Sequence, residues 1–396
     1  MLPLAIEGGK PVRETLLPYG QQWIDEEDIA EVVRVLRGDY VTQGPTVTAF
    51  ERAVAEYVGA EYAVAYCNGT AALHGACFAA GIGPGDEAIT TPLTFLASSN
   101  CVLYMGGKPV FCDVDPETYN LDPTKLESLI TERTKAIIPV DFTGQPPDME
   151  TIMDIARKRG LTVIEDAAHS FGARWNGRNV GTLADMTMFS FHPVKHITTG
   201  EGGVIVTNSR EHYEKLQLFR NHGMIRDPDR LERHEGPWYY EMQALGFNYR
   251  MTDLQAGLGL SQLRKADRFI GRRREIAAAY TEAFAQTDSL IAPKQRGEAE
   301  SSWHLYVLGF DMQRFRVDRR TLFEALRAEN IGVNVHYIPV HLQPYYRSLG
   351  YAKGLCPNAE RMYERIISLP LFPKMSDRDV NDVIEAVKKV VAFFKI

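Results

Sequence analysis

The sequence ADMTMFSFHPVKHITTGEGG, residues 184–203, decides the fold class that we predict for this chain. Residues 186–191 are mostly apolar and predict a strand, and Pro193 opens a turn directly after it. Lys195 stands at the exit of that strand, without an acidic neighbour on either side. A lysine is a nucleophile only when its amine is neutral, which burial or nearby positive charge favours. The segment therefore indicates a candidate catalytic lysine, although most lysines in loops are simply solvated.

The upstream sequence LTVIEDAAHSFGA, residues 161–173, supports that interpretation. Its apolar start predicts a buried strand, and Asp166 lies near the carboxyl end of that strand, where α/β folds place ligands. Asp166 precedes Lys195 by 29 residues. A carboxylate at one strand end and a lysine after a later one suit pyridoxal phosphate (PLP), because the lysine forms a Schiff base and the aspartate keeps the pyridine nitrogen protonated. The competing interpretation is that Asp166 only caps a helix.

Composition limits the classes of function. The chain has 396 residues, 45% of them hydrophobic and 24% charged, which predicts a globular protein of two packed domains. Its net charge of −7 argues against binding to nucleic acid or to an anionic membrane. The five cysteines have no metal-site spacing, and the first residues lack the apolar core of a signal peptide. We therefore expect a cytoplasmic protein with no metal.

Strands alternate with helical patterns through the first two thirds of the chain, which predicts a mainly parallel sheet covered on both faces. The strands that we predict for this sheet are residues 87–90, 109–114, 136–140, 161–165, 186–191 and 204–207. Residues 68–70, Asn-Gly-Thr, lie between a short strand and an Ala-rich helix and present N–H groups suited to a phosphate. Later we predict one long helix from Thr252 or Asp253 to about Phe284, and a strand over residues 333–337.

The chain resembles the DegT-type family of PLP-dependent sugar aminotransferases, a branch of fold-type I. The motifs that carry the resemblance span most of the chain, from VTQGPTVTAFE at Val41 to SLPLFP at Ser368. Between them lie NGTAALHGA, TTPLTFLASSN, VIEDAAHSFGA, SFHPVKHITTGEGG, GFNYRMTDLQAGLG and VHYIPVH. The form SFHPVKHITTGEGG is most similar to one subgroup, the transaminases that make UDP-4-amino-4,6-dideoxy-N-acetyl-β-L-altrosamine for pseudaminic acid.

The resemblance implies an α/β fold with a large PLP-binding domain and a smaller C-terminal α/β domain. We place the division at residues 1–258, with the N-terminal arm, and 259–396. It also implies a homodimer with shared active sites, which moves an amino group from L-glutamate to C4 of a UDP-linked keto sugar.

The resemblance assigns roles to single residues. Lys195 and Asp166 are implied to be catalytic, with Lys195 holding the cofactor and shuttling a proton. The implied cofactor-binding residues are Gly69, Thr70, Ala71, Phe95, Asp166, His169, Ser190, Lys195 and, from the partner subunit, Asn248. Weaker candidates for the sugar or glutamate, or for the surroundings of the site, are His192, Arg230, Tyr249, Arg250, His336 and Tyr337.

Three alternatives remain open from the sequence. The substrate could be another nucleotide-linked keto sugar, aminated at C3 or C4. Some relatives are PLP-dependent sugar dehydratases, but these carry histidine where this chain has Lys195. A PLP-binding regulator without turnover is the third alternative, and it has no need for a proton-transfer lysine.

Overall fold

The computed structural model of the chain describes residues 3–396. Its strands are β1 Tyr62–Tyr66, β2 Glu87–Thr90, β3 Lys108–Phe111, β4 Thr134–Ile138, β5 Thr162–Asp166, β6 Arg174–Trp175, β7 Arg178–Asn179, β8 Met186–Ser190, β9 Gly203–Thr207, β10 Met224–Ile225, β11 Glu241–Met242, β12 Leu290–Ile291, β13 Ala299–Glu300, β14 Tyr306–Phe310 and β15 Ile366–Leu369. Its α-helices are α1 Glu26–Leu36, α2 Pro45–Val58, α3 Gly69–Ala79, α4 Ala97–Tyr104, α5 Leu126–Leu129, α6 Met149–Arg159, α7 Arg210–Arg220, α8 Asp253–Leu263, α9 Ala266–Phe284, α10 Arg319–Ala328, α11 Pro344–Ser348, α12 Pro357–Tyr363 and α13 Asp377–Phe394.

Seven of the strands within residues 3–396 form one large sheet in the order β1-β9-β8-β5-β4-β2-β3. Strands β3, β2, β4, β5 and β8 pair parallel to one another. Strand β9 pairs antiparallel with β8, and β1 pairs antiparallel with β9, so that β1 runs in the direction of the parallel strands and only β9 is reversed. The predicted α/β class with a mainly parallel sheet is therefore confirmed. All the parallel strands end at the same edge, which is where the predicted functional residues follow in sequence.

Helices cover both faces of this sheet, because each face is apolar. On one face α2 and α6 contribute Phe50 and Ile152 to a core that also contains Phe189. On the opposite face α3 and α7 contribute Ala72 and Leu216 to a second core. A sheet buried on both faces explains why its strands read as continuous apolar runs rather than as alternating ones.

The C-terminal part has its own core, built between the sheet β12-β14-β15 and three helices. Helices α9, α10 and α13 contribute Ile276, Leu322 and Val387 to it. The N-terminal arm packs here as well, because Leu4 and Leu17 belong to this core. Residue 259 lies inside α8, and the division of the chain at this position stays a prediction.

Two predicted elements are wrong. The predicted long helix is two helices, α8 and α9, with a break at residues 264–265, where Lys265 turns inward to pair with Asp28 at 3.0 Å. Residues 333–337 do not form a strand, and only Asn334 pairs with Ser368 in an isolated bridge. In this segment a side-chain hydrogen bond takes the place of main-chain pairing, because the Asn334 side chain accepts the N–H of Val335 at 2.8 Å.

Between residues 3 and 396, no helix combines the length and the apolar composition that crossing a bilayer requires.

Gly203 brings the turn after β1 close to β8, because it pairs with Tyr66 on one side and Ser190 on the other. A Cβ at Gly203 would lie 2.7 Å from backbone atoms of Asn68 and Gly69. Backbone atoms cannot move aside as the end of a flexible side chain could. We expect Gly203→Ala to lower the free energy of unfolding by about 1–3 kcal/mol, as overpacking does. Urea titration followed by circular dichroism measures this.

Gly271→Ala is the matched control, since Gly271 lies inside α9 and its Cβ would have open space. An alanine there should be neutral or stabilise the helix by about 0.5–1 kcal/mol. Equal stability of the Gly203→Ala and wild-type proteins would contradict the close approach at the turn.

Candidate active site

A cavity of about 620 Å³ opens at the carboxyl edge of the parallel strands. It brings together ten of the residues that the sequence singled out. These are Gly69, Thr70, Phe95, Asp166, His169, Ser190, His192, Lys195, His336 and Tyr337. Residues separated by up to 268 positions in sequence therefore share one site. The parallel strands bring Asp166, Ser190 and Lys195 to this edge, whereas His336 and Tyr337 reach it from the C-terminal part.

Asp166 forms one wall of the cavity, at the last position of β5. Its side chain accepts a hydrogen bond from Ser98 Oγ at 2.6 Å and another from the Ala168 N–H at 3.2 Å. Burial raises the pKa of Asp166, while these two donors and the charge of Lys195 act in the opposite direction. The carboxylate is thus buried and hydrogen-bonded, and no cation of residues 3–396 forms a salt bridge with it, which suits a positively charged ring nitrogen.

Lys195 lies in the turn after β8, where its N–H donates to the His192 carbonyl at 2.9 Å. The side chain keeps some surface open to the cavity, but protein surrounds its amine. Burial lowers the pKa of Lys195 to about 8; the charge of Asp166 opposes this shift and that of Arg273 adds to it. A substantial fraction of the amine is therefore neutral near physiological pH, as a nucleophile and a proton carrier require.

The third wall is the start of α3. Asn68 caps this helix by accepting the Ala71 N–H at 2.8 Å, so the N–H groups of Gly69 and Thr70 lack acceptors within the helix. Ser190 faces them, since a Cβ at Gly69 would lie 3.4 Å from Ser190 Oγ. Free N–H groups and a hydroxyl at a helix N-terminus form an anion site. Ala71 does not line the cavity, and its N–H is already used by the cap.

Aromatic and imidazole rings form the rest of the wall. Tyr337 Oη lies 3.1 Å from His169 Nε2, and His336 Nδ1 lies 2.8 Å from Ser368 Oγ. Burial lowers the pKa of His169 well below its usual range and that of His336 to about 3, so both rings are neutral. Phe95 is 57% exposed at the rim of the cavity, with a face available for a flat ligand.

Besides Ala71, four of the predicted residues lie outside this cavity. Arg230 and Arg250 line a second cavity of about 390 Å³. Tyr249 Oη instead lies 3.3 Å from His74 Nδ1, and Asn248 is exposed on the surface. Within a single chain, none of the four lines the cavity beside Lys195.

Sequence reasoning missed three residues that bear on the site. Ser98 is part of a quoted motif, and its place one helical turn after Phe95 could have indicated it. His304 lies 3.3 Å from the Lys195 amine, and its only sequence signal is that it precedes a buried strand. Arg273 is fully buried and donates to the Lys195 carbonyl, but a basic residue within a long helical pattern gives no hint of that.

Comparison with known proteins places the chain in a family. The sequence model of the DegT/DnrJ/EryC1/StrS aminotransferase family matches residues 22–388, and the chain belongs to this family. Spore coat polysaccharide biosynthesis protein SpsC from Bacillus subtilis (strain 168) is 45% identical over 381 residues, which cover 96% of this chain and 98% of that protein.

Solved structures agree with this assignment. Helicobacter pylori PseC, an aminotransferase involved in the biosynthesis of pseudoaminic acid, matches with a TM-score of 0.90 at 32% identity, covering 96% of this chain and 100% of PseC. The putative sugar aminotransferase Spr1654 from Streptococcus pneumoniae, in its PMP form, has a TM-score of 0.90 at 32% identity over 95% of this chain and 99% of its own. The chain is thus a PLP-dependent sugar aminotransferase of fold-type I.

The cavity fits this cofactor on chemical grounds. PLP has a pyridine nitrogen, an aldehyde and a phosphate, and the three walls offer a buried carboxylate, an easily deprotonated amine and free N–H groups. Asp166, Lys195 and the pair Gly69–Thr70 would hold these three groups respectively.

The low pKa of Lys195 predicts how the apoprotein takes up PLP. Since only the neutral amine attacks the aldehyde, the rate of covalent capture should rise with pH and reach its half-maximum near pH 8 rather than near the ordinary 10.5. Borohydride reduction after short incubations, followed by peptide mass mapping of Lys195, measures the rate. A rate that keeps rising tenfold per pH unit up to pH 10 would contradict the burial of this amine.

Proposed function

We propose that this sugar aminotransferase moves an amino group from L-glutamate to C4 of a UDP-linked 4-keto-6-deoxy-N-acetylhexosamine. The product is UDP-4-amino-4,6-dideoxy-N-acetyl-β-L-altrosamine, a precursor of pseudaminic acid. The observation that carries the proposal is the similarity to PseC over nearly the whole of both chains, at a TM-score of 0.90. The sequence around Lys195, SFHPVKHITTGEGG, adds support because it has the form of that subgroup.

A second candidate is amino transfer to another nucleotide-linked keto sugar, at C3 or C4. The specific observation in its favour is that SpsC, a protein of spore coat polysaccharide biosynthesis, is more similar in sequence than PseC, at 45% against 32% identity. Both candidates use the same cavity and the same cofactor. They differ in the configuration of the sugar, its nucleotide and the carbon that is aminated.

The residues of the cavity divide the chemistry between them. When bound, PLP supplies a ring that accepts an electron pair. Asp166 holds the ring nitrogen in its protonated form, and Ser98 and the Ala168 N–H fix the orientation of that carboxylate. The Lys195 amine would hold the cofactor in the resting enzyme, and once free it would accept the proton of the donor's α-carbon and pass it to the carbon of the cofactor's aldehyde group. Gly69, Thr70 and Ser190 would bind the phosphate.

We also propose that two chains form a homodimer and that Asn248 of the partner subunit completes each site. Asn248 is exposed, and Phe247 and Leu245 beside it expose 36% and 73% of their surface. The preceding loop exposes Trp238 and Met242 as well, at 72% and 65%. Large apolar side chains exposed together in one segment are typical of a protein interface. An interface here would carry Asn248, Arg250 and Arg230 toward a neighbouring chain.

The substrate proposal predicts a preference among keto sugars. With PLP and L-glutamate, we expect turnover of UDP-2-acetamido-2,6-dideoxy-β-L-arabino-hexos-4-ulose, with the new amine at C4. A parallel incubation uses a dTDP-linked 3-keto-6-deoxy sugar, and products are identified by NMR. Equal or faster amination of the dTDP-linked sugar would refute the substrate and leave the family unchanged.

The shared site predicts complementation between inactive chains. We expect Lys195→Ala and Asn248→Ala each to be poorly active, and co-expression of the two to restore part of the activity. Recovery follows because one site of a mixed dimer carries both changes and the other carries neither.

Lys195→Ala mixed with Asp166→Asn is the matched control. These two residues line the same cavity of one chain, so each site of that mixed dimer keeps one defect and no activity should return. If the Asn248→Ala mixture, with mixed dimers verified by mass spectrometry, behaves like this control, Asn248 serves its own chain.

A further inference from the structure

His304 contacts the reactive end of Lys195. Its Nε2 lies 3.3 Å from Lys195 Nζ, within hydrogen-bond distance. The side chain is buried, at 4% exposure, and its N–H main-chain group donates to the Thr143 carbonyl at 2.8 Å. His304 therefore lies at a fixed position in the wall of the cavity. Its side chain contacts the amine of Lys195.

The surroundings of His304 keep its ring neutral. The His169 ring lies 4.4 Å away between centroids, and the His196 ring lies 5.7 Å away. Burial lowers the pKa of His304 well below its usual range, and the charges of Lys195 and Arg273 add to that effect. A neutral imidazole keeps one nitrogen free of a proton, and Nε2 can therefore accept a hydrogen bond from the lysine.

Arg273 fixes the main chains on both sides of this contact. It is fully buried, and its terminal nitrogens donate to main-chain carbonyls. Its two terminal nitrogens donate to carbonyls of both segments, at 3.1 Å to His304 and 3.4 Å to Lys195. A third acceptor, the Leu371 carbonyl at 2.8 Å, anchors the guanidinium in the C-terminal part. The distance between the two main chains is thereby set by one rigid planar group.

We propose that His304 is a positioning residue for Lys195: its Nε2 accepts a hydrogen bond from Nζ and holds the free amine at one place in the cavity. Arg273 supports the pair by fixing both main chains. The proposal rests on the proposed role of Lys195 as the residue that holds PLP. A lysine has four rotatable side-chain bonds, so a free amine without such a partner would sample many positions.

The test measures covalent capture of PLP by the apoprotein, which needs neither glutamate nor a sugar. Capture at Lys195 is stopped with borohydride and quantified by mass, and Lys195→Ala must give no adduct at this position. We expect His304→Leu to slow capture at least tenfold. His304→Gln, whose amide can reach the position of Nε2, should stay within threefold of wild type. The control His196→Gln, which alters an equally buried imidazole that donates to the Ser302 carbonyl at 3.1 Å, should stay within twofold.

A second measurement tests whether His304 positions the Lys195 amine or only shapes the cavity. In the Lys195→Ala background, adding His304→Leu should leave the Kd for PLP within twofold, because the amine is already absent. Capture by His304→Leu at the wild-type rate would overturn the proposal. So would a tenfold weaker Kd in the double variant, since His304 would then only shape the cavity.

If His304→Leu does not fold, the proposal is tested by comparing the capture rates of His304→Gln and His304→Asn. Asn is one bond too short to reach Nζ, so it should capture PLP at least threefold more slowly than Gln. Equal rates would overturn the proposal. If the proposed sugar substrate is wrong, these capture rates are unaffected. If Lys195 does not hold PLP, adduct is found only at other lysines.

Discussion

The site depends on one constraint, the common direction of strands β3, β2, β4, β5 and β8. Parallel strands joined by helices on both faces must all end at the same edge of the sheet. Asp166 ends β5 and Ser190 ends β8, and Lys195 follows in the next turn. The antiparallel strand β9 then passes beside β8 with a glycine at the point where the turn after β1 approaches. Asp166, Ser190 and Lys195 meet in the cavity because the strands that carry them end at the same edge of the sheet.

The balance of charge in the cavity is a second, dependent property. Several ionisable side chains are buried together in the cavity, and burial favours the neutral form of each of them. The imidazoles of His169, His304 and His336 become neutral. Lys195 becomes easier to deprotonate, whereas Asp166 keeps two hydrogen-bond donors that favour its charged form. This arrangement leaves a proton acceptor beside a buried anion, which is what amino transfer with PLP needs.

Arg273 shows how the two parts of the chain are coupled at the site. A buried guanidinium is costly unless its donors find acceptors, and here main-chain carbonyls from residues 194, 195, 303, 304 and 371 accept from its two terminal nitrogens. The turn that carries Lys195 and the segment that carries His304 are thus tied to the C-terminal core. Packing of the C-terminal part is therefore linked to the geometry of the reacting amine, although it adds few residues to the cavity.

The sequence by itself determined the α/β class, the order of the parallel strands in the chain, and the family. Local patterns were enough for this, because apolar runs, turn residues and motifs such as SFHPVKHITTGEGG are read within short windows. Lys195 and Asp166 were also identified as candidates in this way, since Asp166 directly follows one predicted strand and Lys195 lies in the turn after another. Residues 333–337 show where this fails: their pattern is that of a strand, but side-chain hydrogen bonds to Ser368 and within the segment replace the ladder.

Only the tertiary structure decided which distant residues complete the site. His304 is 109 positions from Lys195 and Ser98 is 68 positions from Asp166, so neither contact lies within a short window of sequence. It also decided that Tyr249 faces His74 and that Arg230 and Arg250 line another cavity, away from Lys195. The lowered pKa of Lys195 also depends on the tertiary structure, because it results from burial and from two charges that only folding brings near. Such properties depend on long-range packing, which a sequence window does not contain.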